Sequence, residues 1–503
     1  MQPADLVGCR YRLVQRRRHP DTAPTDASQR RAERFAAARA EIHALLPVAP
    51  AIGDPKRFLR IDVPAGPAAE FDTLEALAAG ANLITGAVFR GTSAGNDWHV
   101  RVDALARLRD GDYLPVMVSN HRVARRREGS EMPAISTARL GLAKPSTVPY
   151  QQRHHAIDGY RLSLAARALA TVGLDSGWGG VVGQDRAKVF LAETATHQRA
   201  LDNALTVPPP PGPRRVKECD SCRFWRYCAP ELSAADDISL FLPGDRARSF
   251  REQGITTVQG LIDARLGEPS ALAWAFREQV PVLRRRESIT APRADVEIDI
   301  DVEAYLDQGA YLWGAFDGDI YRPFVTWGEL GGDAEAANFA HFWDWLSTTR
   351  RQAREAGRSF AAYCYSAHGE NHWLLTSARR FAGRTFDGVS VPAEAEVREF
   401  IAAAEWTDMF QVVRRQLAGP AGLGLKIVAP AAGFSWDEAG FDGEQSVHAY
   451  RVAMGPDQAA ADRARAQLLS YNGDDCRATA AVRDWLTAGA PGTPILPGFD
   501  PAG

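Results

Sequence analysis

The spacing of apolar and polar residues switches between two periods along the chain, and the switches outline its parts. Residues 27–46, rich in Ala, Glu, Arg and Leu and stopped by Pro47, predict an amphipathic helix, and 70–81 predict a second. Period-two alternation then predicts strands over 82–90, 98–108 (with Gly111 in the turn after it) and 113–121. A helix is expected at 153–173 and a strand at 188–193, with a loop prone to insertion around 124–150. A second alternating run starts at Val296, in Val-Glu-Ile-Asp-Ile-Asp-Val-Glu. It leads through Tyr311–Phe316 to Tyr321–Trp327 as a hairpin or meander. Helices are expected after it at 334–356, 392–403, 405–417, 457–471 and 475–487. Between the two α/β patterns, Leu240–Ile262 reads either as a helix-hairpin-helix unit or as a helical linker. Such a hairpin turns backbone N–H groups toward a phosphate, although only Gly244 stands where its turn usually has two glycines. The expected organisation is an α/β domain over 1–232, a helical linker over 233–290, a second α/β domain over 291–490 and a loosely ordered Pro/Gly-rich tail over 491–503.

Bulk properties narrow the class without naming a function. The chain has 503 residues, 45% hydrophobic and 24% charged, which suits a soluble multidomain protein. No apolar run is long enough for a membrane span, and Arg16–Arg18 are not followed by a signal-peptide core, so no membrane partner and a cytoplasmic location are expected. A net charge of −3 argues against a generally basic nucleic-acid binder. Arginine is nevertheless dense at 10–39, 122–127 and 277–286, which fits a local phosphate-binding track or ordinary solvated helix faces. Lysine occurs five times only, at 56, 144, 188, 217 and 426.

Two groups of residues carry candidate chemistry. Cys219, Cys222 and Cys228 form a Cys-x2-Cys-x5-Cys cluster, and no histidine lies between His197 and His341 to complete it locally. Thiolates at this spacing suit zinc or an iron–sulfur cluster, and Cys9 offers a fourth sulfur. If it does so, residues 9–228 close into one domain from end to end. The second group is Asp299, Asp301 and Glu303. Residues two apart on a strand share a face, and three carboxylates together repel unless a cation sits among them. The alternative is the solvent face of an edge strand.

A lone N-terminal cysteine with a distant Cys-x2-Cys-x5-Cys resembles the split cluster site of RecB-type nucleases. The chain as a whole resembles RecB-like nucleases that carry a C-terminal RNase H-like domain. The likeness runs through Gly180–Asp185, Glu218–Leu232, Tyr311–Gly314, the Gly-Leu-Lys-Ile segment ending at Trp436, Gly443–Ser446 and Tyr471–Asp475. It implies a RecB/PD-(D/E)xK-type fold for the first domain, with a 4Fe–4S cluster held by Cys9, Cys219, Cys222 and Cys228. It also implies Asp103 and His43 as metal-binding residues there. The acid and lysine expected on the next strand are absent. Val116-Met117-Val118-Ser119 occupies their place, and no lysine lies between Lys56 and Lys144, so this site reads as degenerate, leaving a module that binds DNA.

The second domain resembles DEDD-type 3′–5′ exonucleases, which use Mg2+ or Mn2+. On that likeness Asp301 and Glu303 form the first motif, and Tyr471 and Asp475 the last. There the tyrosine orients the attacking water and Asp475 binds metal, with Asp408 a further member. The middle motif is imperfect, and Glu370 is its only carboxylate in reach. The implied function is a metal-dependent nuclease acting on DNA in repair or processing, with a helicase as a partner. A non-catalytic nucleic-acid-binding scaffold and an RNA-processing exoribonuclease remain as alternatives.

Overall fold

A computed structural model describes residues 1–49, 58–93, 95–437, 441 and 443–496, with Glu444 described by its backbone alone. The chain divides into two compact units at Thr257/Val258. That division falls inside the stretch 233–290 expected as a linker, and leaves the short helices Arg248–Glu252 and Val258–Asp263 on either side of it.

The first unit is built on an eight-stranded mixed sheet. Its strands follow the order Arg60–Asp62, Leu83–Thr85, Ala104–Arg107, Tyr113–Val118, Trp178–Val182, Lys188–Glu193, Met132–Ser136, Ser146–Val148. The helix Asp26–Leu45, capped by the Thr25 hydroxyl, buries Ala38 and Ile42 against one face, with Val116, Val118 and Val182. The helix Ala156–Thr171 buries Leu162, Ala165 and Leu169 against the other, with Met117, Val181 and Phe190. Burial on both faces explains why Tyr113–Val118 is apolar at every position.

Three expectations change here. The run 82–90 is not one strand, because Leu83–Thr85 lies in the main sheet and Val88–Ser93 in a separate hairpin. The run 98–108 is not one strand. Asn96–Arg101 forms a separate hairpin with Val88–Ser93, and Ala104–Arg107 joins the main sheet, so Asp103 sits at the break. The expected loop at 124–150 contributes two strands to the sheet, because Met132, Ala134 and Ile135 need a buried partner.

The second unit centres on a five-stranded sheet in the order Tyr321–Val325, Gly309–Phe316, Val296–Tyr305, Phe360–Cys364, Trp406–Asp408. The first three strands form the expected antiparallel meander, and the last two run parallel to Val296–Tyr305. Helix Asp333–Glu355 covers one face, where Trp313 stacks on Phe342 with ring centroids 4.9 Å apart. The opposite face receives one continuous helix of 30 residues, Gln458–Thr487, where two helices meeting near residue 473 were expected. Gly473 does not break it. A Cβ there would lie 3.2 Å from the Tyr321 ring, so the glycine permits close packing of helix on sheet. The start of the expected loose tail is ordered, since Leu496 N donates to Arg284 O and Thr493 is buried; residues 497–503 lie outside the described residues.

One buried ion pair ties the long helix to the central strand. Arg483 meets the fully buried Asp299 and also reaches Glu297 at 3.3 Å. Burial pushes the Asp299 carboxyl up, to about 7, and the Arg483 guanidinium opposes that rise. Arg483→Met is expected to lower the unfolding free energy by about 3–5 kcal/mol, because a charge is left buried without its partner. Urea unfolding of this variant beside the Arg483→Met/Asp299→Asn pair measures it, and the pair should lose less.

Candidate active site in the second unit

The central strand sets the site. Its parallel neighbour pairs only as far as Asp299↔Tyr363, so the residues beyond it lie past that pairing, in the crevice at the ends of the parallel strands. Asp301 and Glu303 occupy that stretch, and a register shift immediately after Glu303 bends the strand. The third acid comes from the long helix, where Tyr471 and Asp475, four residues apart, share a face. Asp301, Glu303 and Asp475 each offer an oxygen within 4.8 Å of the others. Asp299 does not join them, because Arg483 holds it.

Each of the three carboxylates has its own neutral donor. Asn472 Nδ2 donates to Asp301 Oδ2 at 2.7 Å, the Ser446 hydroxyl to Glu303 Oε2 at 2.8 Å, and Trp436 Nε1 to Asp475 Oδ1 at 2.7 Å. Tyr471 also hydrogen-bonds Asp475. A further layer fixes the donors. The Tyr321 hydroxyl donates to Asn472 Oδ1 at 2.7 Å, and a Cβ on Gly314 would lie 1.8 Å from that same oxygen. Only glycine fits opposite Asp301 in the meander. These donors were not singled out from the sequence, although Gly314, Trp436, Ser446 and Asn472 all lie in the segments quoted for the family likeness.

Glu370 and Asp408 are placed differently from each other. Glu370 lies in the first turn of helix His368–Arg380, 6% exposed, and its Oε2 has no hydrogen-bond partner. Its charge acts on Asp301, and Glu303 acts on it. Asp408 instead caps the helix Met409–Gln416. Its Oδ1 accepts from Phe410 N at 2.9 Å and from Ser366 N at 3.0 Å. Ser366 has φ 76°, a left-handed conformation that costs a non-glycine residue energy. The Asp408 carboxylate thus holds the turn that delivers Glu370, and it is not one of the three clustered acids.

The donor set suits a hard divalent cation, which takes carboxylate oxygens. Burial comes first in raising the carboxyls of Asp301, Glu303 (to about 7), Glu370 (to about 8) and Asp475; repulsion from neighbouring carboxylates adds to each. The orphaned Glu370 oxygen fits the same group, since a cation would meet it. Asp301, Glu303 and Asp475, with Glu370 beside them, are the residues that would hold Mg2+ or Mn2+.

The expected residues of the first unit are arranged otherwise. Asp103 and His43 line one cleft of about 380 Å³, with Asp62 as a second carboxylate in it. Asp103 accepts from Arg39 Nε at 2.7 Å, Arg161 at 2.9 Å and Val118 N at 2.7 Å. His43 faces Arg60 at 2.7 Å and Asp62 at 3.4 Å. Met117 and Ser119, which stand where an acid and a lysine were sought, are both buried.

The four cysteines do come together. Cys9 precedes helix Tyr11–Arg18, which lies on the segment 219–228: His19 stacks on Tyr227 at 3.8 Å and Thr25 Oγ1 donates to Ser221 O at 2.8 Å. Burial pushes the Cys219 thiol up to about 11, and the fields of Cys9, Cys222 and Cys228 add to it. Gln15 Nε2 donates to Cys228 Sγ at 3.3 Å, and Val216 N to Cys219 Sγ at 3.4 Å.

The raised carboxyls give a sign for pH. A carboxyl with a folded pKa above its unfolded value holds extra protons when folded, so its contribution to stability is present below the unfolded pKa and lost as pH rises through the folded one. In chelator, the second unit should therefore unfold at lower temperature as pH rises from about 5 to about 8. Added Mg2+ or Mn2+ should restore stability most at the upper end. Scanning calorimetry across that range, with and without metal, measures both effects.

Comparison with known proteins bears on this unit. A family model described as RNase H superfamily matches residues 331–487. The match includes Glu370, Asp408, Tyr471 and Asp475, while Asp301 and Glu303 lie before it on the central strand. No curated protein and no solved structure matches the chain. The second unit therefore contains an RNase H-like domain.

Proposed function

We propose that this protein is a metal-dependent nuclease that hydrolyses phosphodiester bonds at Asp301, Glu303, Glu370 and Asp475, as a 3′–5′ exonuclease acting on DNA in repair or processing. The observation that carries this reading is the set of three carboxylates within 4.8 Å, each given a neutral donor instead of a cation. Such a set leaves its carboxylates free of any ion pair and open to a bound metal. Mg2+ or Mn2+ there would activate a water and balance charge on the attacking and leaving oxygens. Asn472, Ser446 and Trp436 hold the ligand carboxylates in place, and Asp408 holds the turn that carries Glu370. Tyr471, tied to Asp475, is the group to orient the water.

The first unit is assigned to DNA binding, with a helicase as the class of partner. What supports a binding role over cutting is the state of Asp103, paired with two arginines and a backbone amide. A 4Fe–4S cluster on Cys9, Cys219, Cys222 and Cys228 is part of the same proposal, as a clasp between residue 9 and residue 228. Four thiols in each other's field, with N–H donors to two of them, suit such a group.

Two measurements test the proposal. Mn2+-dependent degradation of end-labelled single-stranded DNA should fall by ~100-fold or more in Asp301→Asn and in Asp475→Asn, and stay near wild type in Asp103→Asn. Activity that survives both substitutions removes the second unit from the mechanism, and faster degradation of labelled RNA moves the substrate to RNA. Protein purified without oxygen should show broad visible absorption and four irons per chain. Loss of that absorption in Cys9→Ser is expected, and zinc in place of iron overturns the cluster.

A further inference from the structure

One ammonium group faces the acidic cluster with no task in the reading above. Lys426, one of five lysines in the chain, is the second residue of the helix Leu425–Ala431. Three contacts fix its Nζ. It donates to the Phe441 carbonyl, lies 4.8 Å over the Tyr471 ring and 5.9 Å over the Trp436 ring. Tyr471 and Trp436 are the two side chains that hydrogen-bond Asp475.

The manner of holding matters. Lys426 acts on Glu303 and Asp475 through its field, not through a hydrogen bond to either. A lysine whose work was to cancel those charges would sit in contact with them, as Arg483 does with Asp299. Here a carbonyl and two ring faces keep the ammonium beside the carboxylates and off them. The carboxylates call for cations on their side, and Lys426 presents a cation from its own. An anion is the group that both sets of charges would attract. The lysine head group is a compact charge with three donors, of which the Phe441 carbonyl takes one, and it suits a phosphate oxygen.

We propose that Lys426 contacts a non-bridging oxygen of the scissile phosphodiester and so positions the end of a nucleic-acid strand against the acidic cluster. This rests on the nuclease reading of the same site. Cations held by the carboxylates and the ammonium of Lys426 then grip one phosphate from two directions.

The test uses the full chain as wild type, Lys426→Met, Lys426→Arg and Asp301→Asn. Mn2+ affinity is measured by calorimetry, cleavage on labelled single-stranded DNA and RNA, and oligonucleotide binding in Ca2+, which fills the site with little turnover. Lys426→Met should bind Mn2+ at least as tightly as wild type, since a like charge has been removed. It should nevertheless lose about tenfold or more in kcat/KM, with a matching loss in Ca2+-dependent binding, and Lys426→Arg should recover part of it. Cleavage by Lys426→Met within about twofold of wild type overturns the proposal, as does a loss of Mn2+ affinity in step with cleavage, the mark of a packing role. If wild type cleaves neither DNA nor RNA, the nuclease reading fails by itself. Lys426 is then judged by binding: a Ca2+-dependent loss in Lys426→Met sustains the contact, and equal binding removes it.

Discussion

Repulsion among carboxylates at the end of the central strand is the constraint from which the second unit follows. Three acids with oxygens inside 4.8 Å cannot all be ionised in a dry setting without a cation. The fold leaves this charge uncancelled and spends neutral donors on orienting it. Asn472, Ser446 and Trp436 each serve one carboxylate, and Asn472 is positioned in turn by the Tyr321 hydroxyl. The chain of dependence reaches as far as Gly314, whose missing side chain is the space that Asn472 fills.

The same chemistry is handled in a different way elsewhere in the molecule. Asp299, two residues before Asp301, is met by the guanidinium of Arg483, and Asp103 by those of Arg39 and Arg161. A guanidinium supplies a permanent charge in a fixed fork, so a carboxylate paired with it has little call for a metal. Amides, hydroxyls and indoles give direction without charge. The type of donor, more than the presence of an acid, separates carboxylates that hold the fold together from those kept ready for a cation. By that measure Lys426 is intermediate: charged, close, and prevented by Phe441 and two rings from closing an ion pair.

Much of the architecture was legible along the chain. Strict alternation from Val296 marks the central strand, and the strand 188–193 has the bounds that its pattern suggests. The errors share a cause. The break at Asp103, the two sheet strands within 124–150, and the unbroken passage of the long helix through Gly473 are each decided by a neighbour from far along the chain. Local propensity reads Gly473 as a stop; packing against Tyr321 makes it a point of close approach.

For the site, the sequence by itself determined what periodicity can determine. A period of two puts Asp301 and Glu303 on one face of a strand, whereas Tyr471 and Asp475, expected at the ends of two separate helices, share a face because Gln458–Thr487 is continuous. The sequence could not say which acid on that strand meets a cation built into the protein. Asp299 meets Arg483, 184 residues away, while Asp301 meets Asn472, 171 residues away. Those partners differ because Asn472 and Arg483, about three turns apart on one helix, reach different positions of one strand. That reach is set by packing of the whole unit, so only the tertiary structure decided that Asp299 is neutralised and Asp301 is not.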